Sequence, residues 1–153
     1  MEIRLAKFED LKHILPLFKE LDVKHIENNR DMKPVIKNER YKFLFMNVFK
    51  ENSDFVLVVA EFENIIIGFA LAKIIRIKNS LVYKDLSIGE ILYVAVDQNH
   101  KRKGVGKKII LEIEKMLINK DVNKLEIRVY DFNEEMIPEK IDYKPKLTVY
   151  EKY

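Results

Sequence analysis

HKRKGVGKKII, residues 100–110, is the stretch from which the fold of this chain can be predicted. Five of its side chains are lysine or arginine, two residues are glycine, and the stretch ends in an apolar run. The apolar segment ILYVAV, residues 91–96, comes shortly before it and has the composition of a strand. A strand that leads through a basic, glycine-containing turn into a helix is suited to holding an anion, because the first helical turn leaves backbone N–H groups without partners.

The positive charge of the chain is concentrated in this turn. Lys101, Arg102, Lys103, Lys107 and Lys108 have no acidic residue among them. The whole chain has 28 basic and 25 acidic residues and a formal net charge of +3, so the rest of it is slightly acidic. Localised charge favours a small anion over a long polyanion. Because aromatic residues are not interleaved with the bases, we expect no nucleic-acid partner, and an RNA- or DNA-contacting module is the weakest functional alternative.

Length and composition predict one globular domain over 1–153. The 153 residues, 48% hydrophobic and 35% charged, can bury a substantial core. The absence of cysteine excludes disulfides, thiolate catalysis and cysteine-ligated metal. The N-terminal MEIRLAKFEDL lacks the apolar core of a secretory signal, and the longest apolar runs are shorter than the roughly 20 residues that span a bilayer. We therefore expect a cytoplasmic protein with no membrane partner.

Hydrophobic periodicity predicts the element order β-α-α-β-β-β-α-β-(α)-β. Asp10 is the expected cap of the first helix. A loop is expected over 26–38 and a looser segment over 78–89. The other predicted elements are strands 3–6, 54–63, 65–75, 90–96, 122–130 and 147–150, and helices 39–51 and 104–119. This order predicts an α/β or α+β fold with a mixed, mostly antiparallel sheet flanked by helices, in which the unit 90–130 is parallel.

Two familiar phosphate cradles do not fit the basic turn. The dinucleotide fingerprint G-x-G-x-x-G requires a third glycine where the chain has Ile109. The P-loop G-x-x-x-x-G-K-[ST] requires glycine where Lys101 stands and a hydroxyl where Lys108 stands. An ordinary charged helix start is the remaining structural explanation. It accounts poorly for two glycines with no compensating acid, because glycine is costly in a helix.

The pattern that remains, a basic residue followed by x-x-G-x-G over 101–106, resembles the acetyl-CoA pyrophosphate loop of the GNAT N-acetyltransferase superfamily. That loop reads [Gln/Arg]-x-x-G-x-[Gly/Ala], so Lys101 is a mild departure. The order of elements over about 1–135 is also similar. The resemblance implies acetyl-CoA as co-substrate, with its pyrophosphate on the N–H groups of residues 102–107. It also implies a β-bulge in strand 90–96 that lets the N–H of Val94 polarise the thioester carbonyl. The cofactor-binding residues that it implies are Val94, Ala95, Val96, Lys101, Arg102, Lys103, Gly104, Val105, Gly106, Lys107 and Asn133.

The resemblance further implies direct attack of an amine on the thioester. Glu90, at the start of its predicted strand, is the candidate general base, because its spacing to the glycine turn is similar to that of the catalytic glutamate of histone-type members. An ordinary surface acid is the alternative. Lys140 falls where many members have a tyrosine that protonates the CoA thiolate, so Tyr130 and Tyr143 are the candidate substitutes, with water as another. Tyr93 is an alternative site residue, although a strand tyrosine is more often part of the core.

The sequence leaves the acceptor open between a small-molecule amine and a protein amine. No histidine has a metal-ligand partner at a known spacing, so no metal is expected. A GNAT-fold module that binds acetyl-CoA and regulates, with little or no catalysis, is the main alternative to an N-acetyltransferase. Members of the superfamily often form homodimers, and the sequence does not decide the oligomeric state of this chain.

Overall fold

The computed structural model describes residues 1–35, 38–129 and 141–152. Its five strands form one sheet in which the spatial order equals the chain order. The first three strand pairs are antiparallel and the fourth is parallel. The elements are β1 (Glu2–Leu5), α1 (Leu11–Asn28), α2 (Glu39–Asn47), β2 (Phe55–Phe62), β3 (Ile65–Ile77), β4 (Leu86–Val96), α3 (Val105–Ile118) and β5 (Lys124–Ile127). The predicted mixed, mostly antiparallel sheet with flanking helices is confirmed, including the parallel unit.

The β2–β3 hairpin forms the middle of the sheet. Its two turn residues, Glu63 and Asn64, have φ values of 50° and 62°. A two-residue turn with both residues left-handed matches the twist of the strands that it joins. The strands are buried on both faces, as their nearly continuous apolar sequences predicted: neighbouring Val58 and Val59 are both 0% exposed.

Helices cover both faces of the sheet. On one face, Ile109 and Ile113 of α3 belong to a cluster with side chains of β2, β3 and β4. On the other face, the ring centroid of Phe18 in α1 lies 4.3 Å from that of Phe69 and 5.4 Å from that of Tyr93. Tyr93 therefore packs against α1, as expected of a core tyrosine, and α1 is fixed relative to β4.

Asp10 occupies the predicted N-cap position of α1, but its side chain does not cap the helix. Its side chain makes no capping hydrogen bond to the helix. Instead its Oδ2 accepts a hydrogen bond from the Lys7 N–H at 2.7 Å, and both its oxygens accept from the Arg4 guanidinium. The same guanidinium donates to Glu61 Oε2 at 2.7 Å. Asp10 therefore joins β1, β2 and the start of α1, and its hydrogen bonds with Arg4 lower the pKa of its carboxyl.

The helix ends differ from the predicted ones. α1 continues through Asn28, inside the predicted loop, and the Asn28 side chain donates to the Lys24 carbonyl at 2.7 Å. α2 ends at Asn47 instead of 51. There the Ser53 hydroxyl donates to the Asn47 carbonyl at 2.5 Å, which satisfies an acceptor that a longer helix would have used.

β4 begins four residues earlier than predicted. Its first residues are held by strands on both sides: Ile88 pairs with Ile75 of β3 and with Lys124 of β5. Tertiary pairing thus turns part of the expected looser segment into strand. Glu90 consequently lies inside β4 and does not begin it.

Two strand predictions near the C-terminus are wrong. One strand is shorter than predicted, and the other does not form. β5 covers four residues instead of 122–130. The described segment 147–150 is not a strand, and Leu147, Val149 and Tyr150 are 81%, 79% and 91% exposed. An alternating pattern forms a strand only where a neighbouring edge pairs with it, and no described strand pairs with this segment.

Candidate active site

Strand β4 is paired with β5 over only part of its length. β5 pairs with it from Ile88 to Ile91, and the last β5 partner is Ile127. β3 continues beside β4 as far as Val96. Among the described residues, the β5-facing edge of 92–96 therefore has no strand partner, and the sheet opens there into a cleft.

A β-bulge in β4 marks the same point. Leu71 of β3 stands opposite Tyr93 and Ala72 opposite Ile91, so Leu92 is the extra residue. The strand thus carries a bulge of the kind that the resemblance implied, immediately after its last partner in β5.

Backbone donors of β4 point into this cleft. The Asp97 N–H donates to the Ile67 carbonyl of β3 at 2.8 Å. Peptide groups alternate sides along a strand, so the N–H groups of Val94 and Val96 point away from β3 and towards the cleft. These two donors can bind an extended chain with carbonyl groups laid along the strand.

Asp97 shapes the turn that follows β4. Its Oδ1 accepts from the Asn99 N–H at 3.0 Å and lies 2.9 Å from His100 Nδ1. The hydrogen bond with His100 lowers the pKa of the Asp97 carboxyl. A short 3-10 turn over Gln98–His100 results, and it directs the basic residues towards the start of α3.

The glycine turn has the backbone conformation of an anion cradle. Arg102 and Gly104 have φ values of 58° and 79°. Left-handed residues next to a helix start turn successive N–H groups towards one point. Among the described residues, no N–H group of 102–107 donates to a backbone carbonyl. The first backbone hydrogen bond of α3 comes from the Lys108 N–H, which donates to the Gly104 carbonyl at 3.1 Å.

One cavity of about 940 Å³ joins the β4 cleft, the glycine turn and α1. Its lining is rich in cationic and imidazole groups, and Glu20 is the one carboxylate among the described residues that line it. The described residues with basic side chains in its wall are Lys24, His25, His100, Lys101, Arg102, Lys107 and Arg128. A long anionic molecule with an apolar or amide-bearing arm suits this combination of basic turn and open strand edge.

The predicted cofactor residues gather in this cavity. Val94, Ala95 and Val96 line it on β4, and nearly all the turn residues line it at the start of α3. Lys103 is not among the lining residues; its Nζ donates to the Asn99 carbonyl at 2.8 Å. Asn133 lies outside the described residues.

Glu90 lies beside the cavity and is not among the described residues that line it. Its side chain is 7% exposed, and Oε1 has no hydrogen-bond partner in the described structure. That oxygen instead lies 2.5 Å from Nε of Arg128, whose side chain is 81% exposed and lines the cavity. Glu90 is therefore a buried carboxylate paired with a charge at the cavity wall.

Of the two candidate acids, Tyr130 lies outside the described residues. Tyr143 donates its hydroxyl to Glu114 Oε1 of α3 at 2.8 Å, and it is not among the lining residues. Burial and this hydrogen bond raise the pKa of Tyr143. In this arrangement its proton is directed at Glu114 and not at the cavity.

The sequence places the substrate side on residues 22–40, with His25 near its loop, but it does not predict that Glu20 of α1 also lines this cavity. Glu20, Lys24 and His25 line it opposite β4. His25 is 9% exposed, and burial lowers its pKa below the usual range. The available signal was its position seven residues after Phe18, which places both on one helical face.

The described residues contain no group of three or more histidine, aspartate or glutamate side chains that could hold a metal ion. None of the helices in the described ranges is long and apolar enough to cross a bilayer.

Comparison with known proteins assigns the chain to a family. The model of the acetyltransferase (GNAT) family matches residues 17–138, which include most of α1, the bulged strand and the glycine turn. The chain belongs to the GNAT acetyltransferase family, whose members use acetyl-CoA, and the predicted resemblance is confirmed. A comparison with curated proteins finds no match.

Solved structures share the fold at low identity. A mutant of the BH1408 protein from Bacillus halodurans is 18% identical with a TM-score of 0.85, over 100% of this chain and 99% of that one. An aminoglycoside acetyltransferase from an uncultured soil metagenomic sample, in complex with sisomicin, is 21% identical with a TM-score of 0.69, over 99% and 94%. The aminoglycoside N-acetyltransferase AAC(6')-Iy, in complex with CoA, is 17% identical with a TM-score of 0.65, over 99% of both chains.

Proposed function

We propose that this protein is an acetyl-CoA-dependent N-acetyltransferase that moves the acetyl group to a primary amine by direct attack. The observation that carries the proposal is the continuity of one cavity from the glycine turn to the open edge of β4. The turn offers N–H groups and cationic side chains for a pyrophosphate. The strand edge offers backbone donors for the pantetheine arm.

The strand also supplies the electrophilic activation. The amine nitrogen bonds to the thioester carbon, the C–S bond breaks, and the CoA thiolate leaves with its electron pair. Negative charge develops on the carbonyl oxygen in the transition state, where the Val94 N–H is the proposed donor. A single such donor contributes roughly 3–4 kcal/mol in other acyl-transfer enzymes. This activation requires no side chain, which explains how an apolar strand can be central to the reaction.

A small-molecule amine is the acceptor class we propose to test first. The cavity wall on α1 carries Glu20, whose carboxylate attracts an ammonium group. Structural relatives include aminoglycoside acetyltransferases, one of them bound to sisomicin. A protein amine remains the second acceptor class.

Proton transfer requires a base for the amine and an acid for the CoA thiolate. Glu90 is paired with Arg128 and is not among the described lining residues, so as a base it would act through water or after that contact opens. For the CoA thiolate, Tyr130, Tyr143 and water remain the proposed acids, although Tyr143 would first have to leave Glu114.

A CoA-release screen tests the function. Acetyl-CoA is incubated with the protein and sisomicin, spermidine, free lysine or a lysine peptide, and both CoA and the amide are measured. We expect stoichiometric amide and CoA with at least one amine. Stabilisation by acetyl-CoA without release would favour the regulatory module, and no stabilisation would refute both functions.

A further inference from the structure

His25 occupies a position of α1 that the helical pattern assigns to the sheet-facing side. Leu11, Ile14 and Phe18 form the buried face of α1 and are at most 3% exposed. Seven residues are about two helical turns, so His25 lies on the Phe18 face, roughly 10 Å further along the axis. His25 is thus a titratable side chain, 9% exposed, on an otherwise apolar helix face.

The cavity reaches this imidazole. Phe18 packs edge-on against Tyr93, with ring centroids 5.4 Å apart, so this face of α1 is turned towards β4. His25 and Tyr93 both line the cavity, together with Val94. A molecule that fills the space between α1 and the bulged strand would therefore meet His25 on one side and the proposed oxyanion donor on the other.

The surrounding charges favour a neutral imidazole. Burial is the largest cause of its lowered pKa, and Lys24 and Arg40 act in the same direction, whereas Asp22 opposes them. Asp22 is itself paired with Arg40 of α2, with 2.5 Å between Oδ1 and Nη2. From the cavity, Glu20 on α1 and Arg128 beyond β5 also face this space. A neutral imidazole can accept a proton at neutral pH.

We propose that His25 accepts the proton that the acceptor amine loses when it attacks the acetyl group. This inference rests on the proposed function and deepens it. As the N–C bond forms and the C–S bond breaks, the proton passes from the amine nitrogen to an imidazole nitrogen and then to solvent. Unlike Glu90, His25 is among the described residues in the wall of the cavity.

The test compares three variants with the wild type, using the fastest acceptor of the amine screen. His25→Gln removes the proposed base, Glu90→Gln removes the alternative base, and His13→Gln is the matched control, since His13 is an exposed histidine on the same helix. We expect His25→Gln to lower kcat by about 10²–10⁴-fold, the usual contribution of a general base. Its acetyl-CoA-induced rise in Tm should equal that of the wild type, and His13→Gln should leave kcat unchanged.

The pH profile separates a base from a structural residue. The wild-type kcat/KM, whose pH dependence reports groups of the free enzyme, should rise with pH through a midpoint below about 6.5, the ordinary pKa of histidine, because only the neutral imidazole accepts a proton. His25→Gln should lose that acidic limb, and added imidazole should restore part of the rate. An NMR titration of the wild type should place the His25 midpoint on the same limb.

Three outcomes overturn the inference. They are wild-type kcat and an unchanged acidic limb in His25→Gln, loss of that limb in Glu90→Gln alone, and an NMR midpoint that differs from the kinetic one. If His25→Gln does not fold, the agreement between NMR and kinetic midpoints in the wild type decides the matter. If no amine in the screen accelerates CoA release, the proposed function itself fails, which is a different result.

Discussion

The Arg128 guanidinium lies 2.5 Å from the Glu90 carboxylate. The Glu90 side chain is 7% exposed, whereas the Arg128 side chain is 81% exposed. Removing the arginine leaves a buried charge without this partner. Removing the charge leaves only an exposed arginine. The two partners therefore differ in what their loss should cost.

We predict that Arg128→Gln lowers the free energy of unfolding by about 1 kcal/mol at neutral pH, a value reduced by the solvent screening of an exposed partner. In a Glu90→Gln background, Arg128→Gln should lower the free energy of unfolding by less, because the glutamine carries no buried charge that could lose its partner. Urea unfolding of the four proteins of this double-mutant cycle measures the difference. Equal costs in both backgrounds would show that the pair does not stabilise the fold.

The two glycines of the turn should respond to alanine with opposite signs. Gly104 has φ of 79°, so Gly104→Ala forces a left-handed alanine and should cost about 1–2 kcal/mol of stability. Gly106 is in the first turn of α3, and an added Cβ would lie 3.7 Å from Val96 Cγ2, an ordinary contact. Gly106→Ala should stabilise the helix by up to about 1 kcal/mol. Thermal unfolding measures both, and equal signs would contradict the turn geometry.

Adjacent lysines should differ in their effect on acetyl-CoA binding. Lys107 lines the cavity and Lys108 is not among the described lining residues, although both are exposed. Lys107→Gln should weaken acetyl-CoA binding about tenfold, or about 1.4 kcal/mol, as expected for a charge-assisted hydrogen bond. Lys108→Gln serves as the matched control and should change binding much less. Calorimetric titration measures both, and an equal loss would indicate only long-range attraction.

The free energy of unfolding should decrease with falling pH in two separate pH ranges. The pKa of His25 is lowered in the folded state, so between that pKa and about 6.5 the unfolded chain binds more protons. Stability therefore falls as pH decreases from about 6.5. The lowered pKa values of Asp10 and Asp97 act further down, where stability present above about 3.9 is lost as these carboxylates become protonated.

Urea unfolding of wild type and His25→Gln across both ranges tests this separation. The variant should lose the decline that begins near about pH 6.5 and retain the lower one. Parallel curves for the two proteins over the upper range would show that His25 is not buried as a neutral group.

The parts of the fold that could be predicted are those fixed by local sequence. The turn Glu63–Asn64, the apolar β2 and β3, and the transition through Gly104 into α3 all follow from local residue chemistry. The start of β4 could not be predicted, because it depends on pairing with β3 and, at Ile88 and Gly89, also with β5. The segment 147–150 shows the reverse case, a strand-like pattern without a partner.

The candidate site also has one part that could be predicted from the sequence and one part that could not. The proposed cofactor end is one continuous stretch of chain, so a local motif could indicate it, and the structure gathers most of that stretch in one cavity. The proposed acceptor end is assembled from α1, β4 and the region after β5, which are far apart in sequence. His25 could be recognised as a histidine on an apolar face, but only the packing of Phe18 on Tyr93 shows which space that face meets.

The most direct test of the central claim is the fate of acetyl-CoA when the protein meets an amine. Purified protein is mixed with acetyl-CoA labelled in the acetyl group, with and without each amine of the screen. The labelled amide is then identified by mass spectrometry while free CoA is quantified. The account predicts protein-dependent labelled amide in equal amount to CoA, reduced in Lys107→Gln at subsaturating acetyl-CoA. Acetyl-CoA that neither binds nor transfers its label to any amine would contradict it.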